Sequence, residues 1–156
     1  MKPDNFKAIN DTYGHEAGDL ALVAIGSALT QYLLETSLHD GPKKVILVRY
    51  TGNELSFIFP DTGKNEAREI ARGLRSFLNS LDLSAITQGE AQSAEAASAE
   101  AVSAEERPPF RLSVSIGIAV FPEYATSSAD LIKLARELPL IGRERGGNMI
   151  LFPEDK

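Results

Sequence analysis

Two hydrophobic periods alternate along this 156-residue chain, and their order leaves few folds open. Leu22, Ile25, Leu29 and Leu33 recur at steps of three and four, so residues 19–34 form an amphipathic helix whose apolar stripe needs a second layer to cover it. Residues 45–50 and 55–59 are short β-branched and aromatic runs on either side of Thr51-Gly52-Asn53-Glu54, the pattern of a hairpin. Ala67, Ile70, Leu74, Phe77 or Leu78, and Leu81 mark a second helix that starts near Asp61 or Thr62. Leu112, Val114, Ile116, Ile118 and Val120 alternate through a long strand that ends at Pro122. Ser127 or Ser128 caps a third helix over 129–138, which Pro139 breaks or bends, and 149–152 close as a short strand. Helix, hairpin, helix, strand, helix, strand predicts an α+β sandwich with helices packed over a mainly antiparallel sheet.

One segment does not follow either period. In 88–106 the triplet Ser-Ala-Glu recurs at 93–95, 98–100 and 103–105. A five-residue step turns a helix by ~140° per repeat, so no apolar stripe accumulates. The segment is expected to be a solvated acidic insertion, disordered or loosely helical, within a single domain over 1–156. Acidic side chains outnumber basic ones 22 to 16, a net charge of −6. That balance argues against a partner that presents a nucleic-acid backbone or an anionic membrane surface. With no cysteine, disulfides, thiolate metal sites and a cysteine nucleophile are excluded. No uninterrupted apolar run approaches the ~20 residues of a spanning helix, and the first residues lack the apolar core of a signal peptide. A soluble, cytoplasmic domain without membrane contact is the expectation.

Chemistry concentrates in the run 4–19, Asp-Asn-Phe-Lys-Ala-Ile-Asn-Asp-Thr-Tyr-Gly-His-Glu-Ala-Gly-Asp. Asp4, Asn5, Phe6 and Lys7 stand where the chain enters a helix, and free backbone amides there attract phosphate oxygens. Lys7 can add a point charge. Asn10 offers a donor and an acceptor, and Asp19 accepts two N–H groups, which suits the amide-like edge of guanine. Equally, Asp19 can cap the following helix and Asn10 can close a turn.

This run resembles the opening of a GGDEF domain, the family of the diguanylate cyclases, which condense two GTP into cyclic di-GMP. The resemblance continues through Arg49-Tyr-Thr-Gly-Asn-Glu-Leu55, the strand Leu112-Ser-Val-Ser-Ile-Gly-Ile118 with Phe121-Pro122, and Gly146-Gly-Asn148. It implies a palm-like, nucleotidyl-cyclase-like fold. Nucleotide contacts are implied at Asn5, Phe6, Lys7, Asn10, Asp19, Gly52 and Arg143, with guanine read by Asn10 and Asp19. The chain begins where the resemblance puts the end of a central strand, so a sheet lacking its first strand is expected.

The departures from the family pattern decide what to expect of activity. Active members hold divalent cations with two carboxylates, and those positions are Lys2 and Asn53 here. Mg²⁺ prefers carboxylate and phosphate oxygens, so no metal is expected, whereas Lys2 could itself pair with phosphate. The signature reads Thr51-Gly52-Asn53-Glu54-Leu55, with Gly52 and Glu54 retained. Glu54 is the surviving candidate catalytic residue. The family's C-terminal basic pair falls on Arg143 and Gly147, and its product-inhibition motif, on Pro42 and Val45, is absent. A catalytically silent GGDEF domain is therefore expected, acting as a guanine-nucleotide-binding or interaction module, with a homodimer or further domains of a signalling protein as partners. The alternative is an active cyclase, which would need Mg²⁺.

Overall fold

The computed structural model describes residues 1–36, 44–84 and 111–156; Pro42 and the insertion at 88–106 lie outside the described residues. Among the described residues the elements run β1 (Lys2–Pro3), α1 (Phe6–Glu35), β2 (Ile46–Thr51), β3 (Glu54–Ile58), α2 (Lys64–Ser80), β4 (Val114–Gly117), α3 (Ser128–Glu144) and β5 (Ile150–Leu151), with a 3-10 turn at Pro153–Asp155. Apart from β1, the predicted order of helices and strands is the observed one among the described residues.

β4 lies at the centre, antiparallel to β1 with Lys2 opposite Ser115, and parallel to β5 with Ile116 opposite Ile150. The β2–β3 hairpin joins this sheet through Met1, whose N–H donates to the Leu55 carbonyl (2.8 Å) while the Leu55 N–H donates to the Met1 carbonyl (3.1 Å). The expectation of a sheet lacking its first strand is thus corrected: β1 is present as Lys2–Pro3, and the residues 1–3 sit between β3 and β4.

Alternation along β4 sorts the layers. Val114 and Ile116 join Ile9, Ala21, Ile25, Leu29, Leu74 and Leu78 in one buried cluster, so α1 and α2 cover that face. Ser115 and Gly117 face the other way, toward α3: Ser115 meets Gly142, and a Cβ on Gly117 would lie 2.6 Å from Leu138 Cβ and from Pro139 Cδ. Small side chains on this face let α3 settle close to the backbone. α1 has the length and apolar content to cross a bilayer, and it is also the central helix of the core, with Ala17, Ile25 and Leu29 at 0% exposure.

Four local expectations are corrected. The helix predicted from residue 19 extends back to Phe6, because the chain passes Gly14 at φ 88°, a conformation open to glycine, and resumes its helix beyond the kink. α2 starts at Lys64 rather than near Asp61, since Asp61 takes φ 49° and Gly63 is the extended cap residue. β4 is four residues long, not nine, because its partners β1 and β5 offer two residues each. Pro139 neither ends nor breaks α3. The Ala135 carbonyl, which a proline four residues on leaves without a helical donor, packs against Gly117 of β4. The predicted cap holds: Ser127 Oγ accepts the Asp130 N–H at 3.1 Å.

Candidate nucleotide-binding site

The residues singled out in the sequence fall into three groups. The first is a junction built on Asp4, just past the end of β1. Its carboxylate accepts Ser113 Oγ (2.7 Å), Ser115 Oγ (2.6 Å) and the Asn148 N–H (2.8 Å), and its own N–H donates to the Ser113 carbonyl. Gly147 is forced by this arrangement. It has φ 78°, and a Cβ there would lie 2.9 Å from the Asp4 carboxyl carbon. The position where the family pattern has an arginine is therefore packed against Asp4. Both oxygens of Asp4 are engaged within the fold, which ties the α1 entrance to β4 and the loop before β5.

The second group lies on α1. Asn5 is the residue before the helix; its Nδ2 donates to the Arg111 carbonyl at 3.3 Å while its buried Oδ1 has no hydrogen-bond partner among the described residues. Phe6 is 6% exposed, so its ring belongs to the core and only its backbone amide remains for a ligand. Lys7 is fully solvated, with Asp11 one turn away at 4.0 Å. Asn10 packs on Gly18 across the Gly14 kink: a Cβ at Gly18 would overlap Asn10 Oδ1. The kink thereby brings Asn10 beside the residue that precedes Asp19, whose side chain is exposed. Asp19 lies inside α1 and caps nothing, because the helix begins thirteen residues earlier at Phe6.

The third group surrounds the hairpin turn, on the α3 face of the sheet. Gly52 occupies the turn at φ 50°, its carbonyl accepting Arg49 Nε at 2.7 Å, and Asn53 follows it, half-buried. Glu54 is 4% exposed, and its carboxylate is held at both oxygens by Arg136 of α3, Nε to Oε1 at 2.6 Å and Nη2 to Oε2 at 3.3 Å. Lys2 Nζ stands 3.9 Å from the same Oε2. The guanidinium also covers the Tyr50 ring, 4.4 Å from its centroid, and Glu54 raises its pKa. Arg143 is exposed in the last turn of α3, one residue beyond the Gly142 that packs on Ser115. No hydrogen bond or ion pair among the described residues joins the α1 group to the hairpin group.

This donor set does not fit a divalent cation. Where the resemblance puts two carboxylate ligands there are an ammonium and an amide, and the one nearby carboxylate is already engaged by two positive groups. Sequence reasoning missed Arg136, Tyr50 and Lys133. Arg136 lies 82 residues from Glu54 on a mixed helix face where an arginine reads as solvated. The Asp4 junction was within reach, since Asp4, Ser113, Ser115 and Asn148 all belong to the recognised runs.

Comparisons with known proteins agree with this architecture. The family model described as "Diguanylate cyclase, GGDEF domain" matches residues 1–149. The "Uncharacterized protein YhcK" of Bacillus subtilis is 27% identical over all of this chain, which covers 36% of that protein. "Diguanylate cyclase DosC" of Escherichia coli K12 is 29% identical over 150 residues, 94% of this chain and 26% of its own length. Among solved structures, the GGDEF domain of YfiN (TpbB) from Pseudomonas aeruginosa superposes with a TM-score of 0.68 at 22% identity, covering 97% of this chain and 77% of that one. The chain thus spans about a third or less of the curated relatives named here.

Proposed function

The chain belongs to the GGDEF family, and from that premise we propose that it is a degenerate member, a guanine-nucleotide-binding or regulatory module of cyclic di-GMP signalling that makes no cyclic di-GMP itself. The carrying observation is the state of Glu54. The one signature carboxylate that remains is bonded at both oxygens to Arg136 and faced by Lys2. Phosphoryl transfer depends on offsetting phosphate charge and activating the attacking oxygen. With both oxygens taken up by the guanidinium, this carboxylate is not free to hold a metal ion or to meet an attacking oxygen. Lys2 and Asn53 supply no second carboxylate.

Guanine recognition has separate support. Asn10, Gly18 and Asp19 keep the kinked arrangement of α1, and the backbone amides at the Asn5–Lys7 entrance, Lys7 itself and Arg143 supply phosphate contacts. Gly52 leaves the hairpin turn without a side chain on the approach to that ligand. GTP or another guanine nucleotide is the proposed ligand, and a second copy or further domains of a longer cytoplasmic signalling protein are the proposed partners.

The test is product formation. Protein incubated with GTP and Mg²⁺ should give no cyclic di-GMP by chromatography. Product above a no-protein control, lost in the Lys7→Ala variant, overturns the reading.

A further inference from the structure

A groove of 540 Å³ runs between the outer face of the hairpin and one face of α3, lined by Lys2, Tyr50, Glu54, Ile132, Lys133 and Arg136 among others. Its charges do not cancel. Lys2 and Arg136 share the single carboxylate of Glu54, both approaching Oε2. Glu137, also on the lining, is engaged by Lys156 at 2.7 Å. Lys133 is exposed; its charge acts on Glu137 one turn along, but that carboxylate is already bonded by Lys156, so the two lysines share one acid. A protein of net charge −6 therefore carries a local positive excess in one of its concave surfaces. Lys133 and Arg136 lie three residues apart on α3, so their heads are neighbours on the same helix face. The Lys2 side chain is 24% exposed, so it is partly open to a ligand in the groove.

We infer that this groove is an oligophosphate site that works without a divalent cation. The inference rests on the proposed nucleotide binding for its ligand class and goes beyond it in adding Lys2, Lys133 and Arg136 as phosphate-holding groups on the far side of the hairpin turn from Lys7. An oligophosphate oxygen arriving beside Oε2 meets two cations that one carboxylate cannot satisfy, and Lys133 reaches a further phosphate unit along α3. Charge-assisted hydrogen bonds from ammonium and guanidinium take the place that carboxylate-held metal has in the family pattern. Half-exposed Tyr50 and Ile132 give the groove an apolar wall, which fits the sugar of a nucleotide better than a free inorganic anion.

The experiment is calorimetric titration with inorganic tripolyphosphate, GTP and ATP in EDTA, on the wild type and on Lys133→Glu, Lys2→Ala and Arg72→Glu. Arg72 is an exposed arginine of α2, in the opposite layer, and controls for net charge. Tripolyphosphate should bind the wild type without metal, and Lys133→Glu and Lys2→Ala should each weaken it about tenfold, whereas Arg72→Glu should change it less than about twofold. Tighter GTP than tripolyphosphate binding identifies the nucleotide as the fitting source of the phosphates. No tripolyphosphate binding in EDTA, binding that needs added Mg²⁺, or equal weakening by all three substitutions overturns the inference. Tripolyphosphate carries no base, so its failure leaves a GTP-over-ATP preference standing, and loss of that preference alone counts against the guanine reading instead.

Discussion

Asp4 and Glu54 are two carboxylates flanking the same short strand, and they are satisfied in opposite ways. Asp4 is surrounded by neutral donors, two serine hydroxyls and a backbone N–H, all supplied by runs that match the family pattern. Glu54 is surrounded by cations, Arg136 and Lys2, the latter standing where the pattern has a metal ligand. The first arrangement ties α1, β4 and the loop before β5 together and is independent of any ligand. The second changes the charge of the surface that a ligand meets. On the proposed reading, the domain keeps the junction that makes the fold while the charge beside its hairpin turn is changed.

The largest expected effect tests that division directly. Asp4→Ala leaves two hydroxyls and a backbone N–H without their shared acceptor and should cost roughly 3–5 kcal/mol in urea denaturation. Glu54→Gln should cost about 1 kcal/mol, because Arg136 and Lys2 are both partly exposed and regain water. Equal costs for the two substitutions would break the comparison.

How far the sequence reveals this molecule follows the same line. The apolar spacing of Leu22, Ile25, Leu29 and Leu33, the Thr51–Glu54 turn and the Ser127 cap are local signals, and each marks an element that is present. Pairing across the chain left no such trace. Pro139 stays helical only because Gly117, 22 positions earlier, leaves space against its Ala135 carbonyl. Residues 118–120 alternate as a strand would, but β5 ends at Leu151, and beyond the Ile118-to-Leu151 hydrogen bond no strand among the described residues continues the ladder. In the site, Asn10 and Asp19 are legible as a spaced pair, whereas Arg136 becomes visible only when α3 is laid over the hairpin.

A smaller effect sharpens the contrast between ligand recognition and folding. Asp19 is exposed and takes no part in the core, so Asp19→Ala should leave stability within about 0.5 kcal/mol. It should nevertheless remove the preference for GTP over ATP, worth roughly 1–3 kcal/mol, read from the two dissociation constants.

The smallest effect comes from a third carboxylate with the exposure of neither. Glu154, on the surface, bonds Lys64 at 2.5 Å, and that lysine together with Tyr124 lowers its pKa from an ordinary 4.5 to about 2. A lowered acid pKa stabilises the fold above about 4.5, and the contribution is lost as pH falls from there through about 2. Lys64→Met should therefore shift the urea midpoint slightly downward at pH 7, and the gap from wild type should close toward pH 2. A gap that widens on acidification would contradict the assignment.

The central claim is that cations of the chain itself, rather than carboxylate-held metal, face the nucleotide. The most direct measurement is the affinity for GTP, by calorimetry, in saturating Mg²⁺ and again in EDTA. The account predicts a dissociation constant on the order of 10 µM to 1 mM that differs less than about threefold between the two conditions. Binding tightened by Mg²⁺ about tenfold or more, some 1.4 kcal/mol, would show that a divalent cation takes part in holding the nucleotide and contradict it.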